Sequence, residues 1–173
     1  MLWTNSRSKL FSASPSPWRV VGEGHLEKST IRVLVVDDFE PWRRFVHSTL
    51  QKASEFLVIG EACDGLEAVQ KAEELQPDLI LLDLGLPKLN GIEAAQRIRG
   101  LAPFSKIIFV SQTRSSDIVR EALRAGGSGY VVKSNGATEL LPAIAAVLQS
   151  TQFVSADLTI PTSARSPVPF TSH

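Results

Sequence analysis

Cysteine is almost missing from this chain: Cys63 is the only one in 173 residues. A single thiol cannot form an internal disulfide framework and lacks companions for a thiolate metal site, so a reducing compartment fits. Cys63 itself reads as a small core or near-core hydrophobe. Net charge is missing as well, with 18 basic against 18 acidic side chains. No whole-molecule field therefore draws the chain to nucleic acid or to an anionic membrane. No apolar run approaches the ~20 residues that span a bilayer, no signal-peptide core opens the chain, and there is no repeat of the solenoid kind. What is present is ordinary globular usage, 43% hydrophobic and 21% charged, in a length that suits one domain with short flanks.

The flanks differ from the middle. Residues 1–30 carry many Ser, two Pro and no acid before Glu23. They read as a poorly ordered N-terminal extension, although a Ser/Arg-rich, acid-poor start also fits an organelle transit peptide. Residues 151–173 read as a weakly packing Pro/Ser-rich tail. Between them, over 31–150, short apolar runs alternate with helical periodicity. "IRVLVV" (31–36), "FLVIGE" (56–61), 78–82, "KIIFV" (106–110) and a short run about 130–132 suit strands buried on both faces. Pro41 fits the first turn of a helix with Trp42, Phe45, Val46 and Leu50 at helical spacing. Asp64-Gly-Leu-Glu67 resembles a capping box. Asn90, Ser115 or Ser116, and Ser134 or Asn135 are candidate caps for three more helices. Pro142 inside the last one predicts a kink unless that helix starts later. Five strand–helix units imply an α/β fold: a doubly wound, five-stranded parallel sheet with helices on both faces and right-handed crossovers.

In such sheets ligands bind beyond the carboxyl ends of the strands. Standing there are Asp37 and Asp38, Asp83, Ser111 and Lys133, each directly after an apolar run; the second strand ends in Glu61, Ala62 and Cys63 and offers no obvious chemistry. A lone Asp after a strand is usually a cap or turn residue, and Asp38 could cap the Pro41 helix. That bland explanation does not predict all five polar residues at one end of one sheet. Three converging carboxylates repel one another unless a cation intervenes. An open, oxygen-rich site of this kind suits Mg²⁺, which takes one or two carboxylates plus phosphate oxygens. With Lys133 as a compact positive charge and Ser111 as a hydroxyl donor, the set suits phosphoryl transfer, an aspartate being the nucleophile.

These residues resemble the receiver domain of bacterial two-component response regulators over about Ile31 to Ser150. "VLVVDDFEPWR", "LILLDLGLPKLNG", "IIFVSQ" and "GYVVKS" fall in that family's order and spacing, and the wording is similar to the branch that usually carries a C-terminal helix-turn-helix. The resemblance implies a flavodoxin-like, CheY-like (βα)5 fold and a cytoplasmic signalling protein that is not an enzyme. Asp83 would be the phosphoacceptor. Mg²⁺ would be held by Asp38 directly, Asp37 mainly through water, Asp83 and the Gly85 carbonyl. Ser111 and Lys133 would contact the phosphoryl group, with Ser111 and Tyr130 forming the switch; a half-exposed strand tyrosine is the plainer reading of Tyr130. Gly85 would let the backbone approach the metal, and Pro87 would stiffen the turn. Ser134 stands where the family commonly has a proline after a cis bond.

A sensor histidine kinase or a phosphotransfer protein would be the donor, and an unidentified protein the output. About twenty residues follow Thr151, too few for a helix-turn-helix of roughly sixty, so direct nucleic-acid binding is not expected, nor is a membrane. Two alternatives stay open: a non-phosphorylated pseudo-receiver that acts as an interaction module and homodimerises through a helical face, and a truncated relative of a helix-turn-helix transcriptional regulator. An aspartate-based phosphohydrolase would usually carry a second Asp two residues after the nucleophile, where Gly85 stands. "GEGHLE" (22–27) lacks the third Gly and the strand–turn–helix context of a nucleotide loop. His25, His47 and His173 share no ligand spacing, and His47 is expected on the solvated side of the first helix.

Overall fold

A computed structural model describes residues 18–21 and 25–158. Eight strands and five helices follow in the order β1 (Trp18–Val21), β2 (His25–Lys28), β3 (Ile31–Val36), α1 (Glu40–Leu50), β4 (Phe56–Ala62), α2 (Gly65–Leu75), β5 (Leu79–Asp83), α3 (Gly91–Leu101), β6 (Lys106–Ser111), α4 (Ser116–Arg124), β7 (Gly129–Val132), α5 (Gly136–Leu148) and β8 (Phe153–Val154), with a 3₁₀ turn at Lys133–Asn135. The main sheet has the order β4-β3-β5-β6-β7-β8, and every pairing in it is parallel. The α/β doubly wound expectation holds, but the sheet has six strands, not five. Strand β8 comes from the segment read as a weakly packing tail. In the N-terminal flank, β1 and β2 pair as an antiparallel ladder; residues 1–17, 22–24 and 159–173 lie outside the described residues.

The two-residue side-chain period of each strand builds a core on both faces. Leu34, Val36, Ile80 and Leu82 point to the face covered by α2, α3 and α4, where Ala68, Ala72, Ala95, Ile98, Val119 and Ala122 meet them. Val33, Val35, Leu79 and Leu81 point the other way, against Val46 and Leu50 of α1 and Leu140, Ala143, Ile144 and Val147 of α5. Every residue of β5 is buried, as expected of a central strand with helices on both sides.

The caps are partly as read. Asp64 accepts from the Glu67 amide at 2.9 Å and Asn90 from the Glu93 amide at 3.0 Å. The Glu67 carboxylate returns to the amide of Cys63, not of Asp64, a capping box displaced by one residue. Phe39 is the N-cap of α1 and makes no side-chain cap, so Asp38 does not cap that helix. Ser115 and Asn135 hold the N-cap positions of α4 and α5 without side-chain bonds. Helix α5 runs unbroken through Pro142. Cys63 is exposed, not a core residue, because it lies beyond the end of β4.

Candidate functional site

The hydrogen-bonded ladder runs one residue past the apolar runs. Asp83 therefore ends β5 in register with Val110, and Ser111 ends β6 opposite Val132. Strand pairing fixes the backbones of both residues before any site chemistry is considered. Behind Asp83 the chain must turn back under itself at once. A Cβ on Gly91 would lie 2.1 Å from the Asp83 carbonyl oxygen, and one on Gly65 would lie 1.9 Å from the Leu89 carbonyl oxygen. Neither contact is tolerable, so glycine is required at both helix starts. The Gly91 amide closes the turn on the Leu84 carbonyl at 3.0 Å, and the Gly65 amide reaches the Pro87 carbonyl at 3.3 Å. Lys88, at φ 64°, carries the left-handed residue of the turn and pins it to α2 through Asp64 at 2.6 Å. A Cβ at Gly85 would meet only an Asp83 carboxylate oxygen at 3.5 Å, an ordinary contact. Gly85 engages Asp83 through its amide, which donates to Oδ2 at 3.2 Å.

The structure brings Asp37, Asp38, Asp83 and Lys133 together. One carboxylate oxygen from each acid lies within 4.8 Å of the others, with Asp37 and Asp83 buried and Asp38 exposed. Lys133 Nζ sits between the buried pair, 2.6 Å from Asp37 Oδ2 and 3.3 Å from Asp83 Oδ1. Asp37 Oδ1 accepts from the Phe39 amide at 2.9 Å. The peptide bonds here are trans, the Lys133–Ser134 bond included. Burial pushes the Asp83 carboxyl above the usual aspartate range; Lys133 pulls it down and Asp37 pushes it up again.

On the other side of Asp83, the Ser111 hydroxyl accepts from the Thr113 amide at 3.2 Å. Tyr130 is fully buried, which sets aside the half-exposed reading. Its hydroxyl donates to the Thr113 carbonyl at 2.9 Å, and burial raises its pKa, with the Ser111 hydroxyl acting in the opposite direction. One residue, Thr113, is thus held by both Ser111 and Tyr130.

Three contributors escaped the sequence reading. Trp42 lies beneath the lysine, with Lys133 Nζ 5.6 Å from the ring centroid, a cation–π distance; its ring also fills the space that a Cβ on Gly136 would need. Arg43 donates to the Asp37 carbonyl at 2.8 Å and to Glu61 at 2.6 Å. Glu61 also holds His47 at 2.6 Å, so the second strand does contribute, and His47 is half-buried and paired. Burial alone would raise the Glu61 pKa, but the bonds from Arg43 and His47 bring it below the usual glutamate range. Arg43 lies six positions after Asp37 and eighteen before Glu61, so no local spacing signals its role.

An oxygen-only donor set with one exposed carboxylate suits a hard divalent cation. The acids fit Mg²⁺ by this chemistry, with Lys133 the charge such an ion must share Asp37 with. Among the described residues no helix is long and apolar enough to cross a membrane.

Comparison with known proteins agrees with this geometry. Residues 33–145 match the family model for the response regulator receiver domain. The transcriptional regulatory protein LnrK of Bacillus subtilis is 33% identical over 129 residues, covering 75% of this chain and 59% of LnrK. The response regulator protein VraR of Staphylococcus aureus is 38% identical over 115 residues, covering 66% of this chain and 55% of VraR. The chain thus spans a little over half the length of these curated relatives. Among solved structures, a LuxR-family two-component response regulator from Aurantimonas sp. SI85-9A1 superposes with a TM-score of 0.71 at 35% identity, over 75% of this chain and 93% of that one. The response regulator domain of Thermotoga maritima CheB gives 0.65 at 38% identity, over 69% and 97%. Family model, relatives and architecture agree, and this chain belongs to the response regulator receiver domains of two-component systems.

Proposed function

We propose that the protein is a phosphoacceptor switch: Asp83 receives a phosphoryl group from a sensor histidine kinase or phosphotransfer protein, in the cytoplasm and with Mg²⁺. The observation that carries this reading is Lys133 Nζ spanning Asp37 and Asp83, at 2.6 and 3.3 Å, at the open end of the sheet. An ammonium held against the acceptor carboxylate offsets the charge that a phosphoryl group brings there. In the transfer an Asp83 oxygen forms a P–O bond while the P–N bond of the donor phosphohistidine breaks. The departing imidazole keeps the electron pair and takes up a proton.

Each further role follows from position. Asp83 must be ionised to attack, and burial opposes this; Lys133 lowers its pKa. Asp37, Asp38 and Asp83 would hold Mg²⁺, with Gly85 beside them. The ion would supply charge neutralisation of the acids and of the phosphoryl oxygens. Ser111 offers a hydroxyl proton to a phosphoryl oxygen while its own oxygen accepts from Thr113. Tyr130 follows that movement through the Thr113 carbonyl. The signal passes to a protein partner.

Incubation with acetyl phosphate and Mg²⁺, read by intact mass, tests the reading. One added phosphoryl group on the wild type and none on Asp83→Asn is the expected result. An unmodified wild type would favour the interaction-module alternative, and an equally labelled Asp83→Asn would move the acceptor elsewhere.

A further inference from the structure

Strand β7 has β6 on one side, and on the other it is covered by the chain's own segment Phe153–Leu158. Backbone pairing carries the start: Phe153 and Val154 pair with Gly129 and Tyr130, and the Ser155 amide donates to the Tyr130 carbonyl at 3.0 Å. Side chains carry the rest. Ser155 is buried; its hydroxyl oxygen accepts from the Val132 amide at 2.9 Å, and its proton goes to Glu139 of α5. Glu139 also takes the Ala156 amide at 3.2 Å. Val154 and Leu158 pack against the core.

The far end of this strap is fastened to the loop that follows Ser111. Arg114, three positions after Ser111, pairs with Asp157 and donates to Ser134 at 2.9 Å. Asn135 closes the clasp by donating to Asp157 at 3.1 Å. The same loop is tied inward at Thr113 by Ser111 and Tyr130. Asp83 ends β5, the loop follows β6, and the strap lies outside β7, so the sheet order puts acceptor and strap on opposite sides of the loop. A pull on Ser111 toward Asp83 is therefore a pull on Arg114 away from Asp157.

We propose that Phe153–Leu158 is a self-docked ligand of the β7 edge whose grip is released by phosphorylation of Asp83 through the 111–114 loop. The strap covers β7 when the site is empty. Occupation of the site loosens the clasp and uncovers the edge between α4 and α5. By thermodynamic reciprocity the docked strap weakens occupation of the site by the same factor. This rests on the phosphoacceptor reading given above.

Amide hydrogen exchange on the full chain tests it, with beryllium fluoride and Mg²⁺ as the phosphoryl probe and fluorine NMR reporting whether the probe binds. The amides of Phe153, Ser155 and Leu158 should exchange about fivefold faster or more when the probe is bound, and Asp83→Asn should abolish the change. Arg114 is half-exposed, so Arg114→Gln leaves the core intact. It should speed the same amides without the probe and tighten probe binding by the same factor. Binding that depends on Asp83 without any response of the strap would overturn the coupling alone. Absence of such binding would overturn the phosphoacceptor reading and the coupling with it, and unchanged strap exchange in Arg114→Gln would overturn the clasp.

Discussion

Replacing Asp83 by Asn should stabilise the fold at neutral pH, although it removes a partner of Lys133. The Asp83–Lys133 attraction at 3.3 Å is worth ~5 kcal/mol at an effective dielectric of ~20. Repulsion from buried Asp37, with oxygens within 4.8 Å, is ~3.5 kcal/mol on the same scale, and exposed Asp38 adds ~1 kcal/mol at the dielectric of water. These nearly cancel, which leaves the desolvation of a buried carboxylate, several kcal/mol, as the deciding contribution. Asn keeps an acceptor for the Gly85 amide and leaves Lys133 paired with Asp37. The expected gain is about 1–3 kcal/mol, or roughly 4–12 °C in melting temperature for a unit of this size.

The sign with pH follows from the raised Asp83 pKa. A carboxyl whose folded pKa exceeds its unfolded value contributes stability below the unfolded pKa, and loses it as pH rises through the folded pKa. Wild type loses that contribution as pH rises, so the gain from Asp83→Asn should grow with pH and shrink toward about pH 4, near the unfolded value. Mg²⁺ should narrow the gap by stabilising wild type more, by about 1.4 kcal/mol at ten times its Kd. Thermal and urea unfolding across pH, with and without Mg²⁺, measure all three. A variant destabilised at pH 7, or a gain independent of pH, would refute the argument that desolvation outweighs the lysine.

Lys133→Met removes the cation that lowers the Asp83 pKa, so the Asp83 carboxyl should titrate higher still; a downward move in carbon NMR would mean that another cation dominates. Gly91→Ala places a methyl 2.1 Å from the Asp83 carbonyl and 2.9 Å from Leu84 Cα. Backbone must shift to admit it, so urea unfolding should show a loss of about 2–4 kcal/mol and Asp83 phosphorylation should slow; a loss under about 0.5 kcal/mol would show the turn to be more pliable than its contacts imply.

The central strands were legible because burial on both faces writes itself as unbroken apolar runs, "LILL" and "VLVV" among them. The five polar residues at the strand ends followed from the same rule, and the structure gathers four of them, Asp37, Asp38, Asp83 and Lys133, at one site. Strand ends were misplaced by one residue at Asp83 and Ser111 because the ladder continues wherever a backbone partner exists, whatever the side chain. Gly85 and Gly91 look alike in a sequence. Only the fold shows that Gly91 lies too close to the Asp83 carbonyl for a side chain while Gly85 would meet the Asp83 carboxylate only at an ordinary contact distance. Arg43, Glu61 and His47 are separated by up to eighteen positions, and no local pattern announces that Arg43 and His47 meet on the Glu61 carboxylate while Arg43 reaches the Asp37 carbonyl.

Strand β8 is the instructive miss. Two residues carry no period, and the Ser/Pro composition around them argues for a tail. The signal lay in β7 instead: "GYVV" is apolar without alternation, and all four residues are buried. The last strand of an open parallel sheet presents unpaired backbone to whatever lies beyond it, and a chain manages that edge by shortening, charging or covering it. Strand β7 is short but uncharged, with Tyr130 at its centre; covering is the solution left. The length of α5 then limits what can do the covering, because a right-handed crossover from β7 returns the chain beside that same edge. The segment after α5 therefore belongs to the sheet by the logic that placed the first five strands, and its Ser155 and Asp157 extend the polar end of the sheet past the lysine.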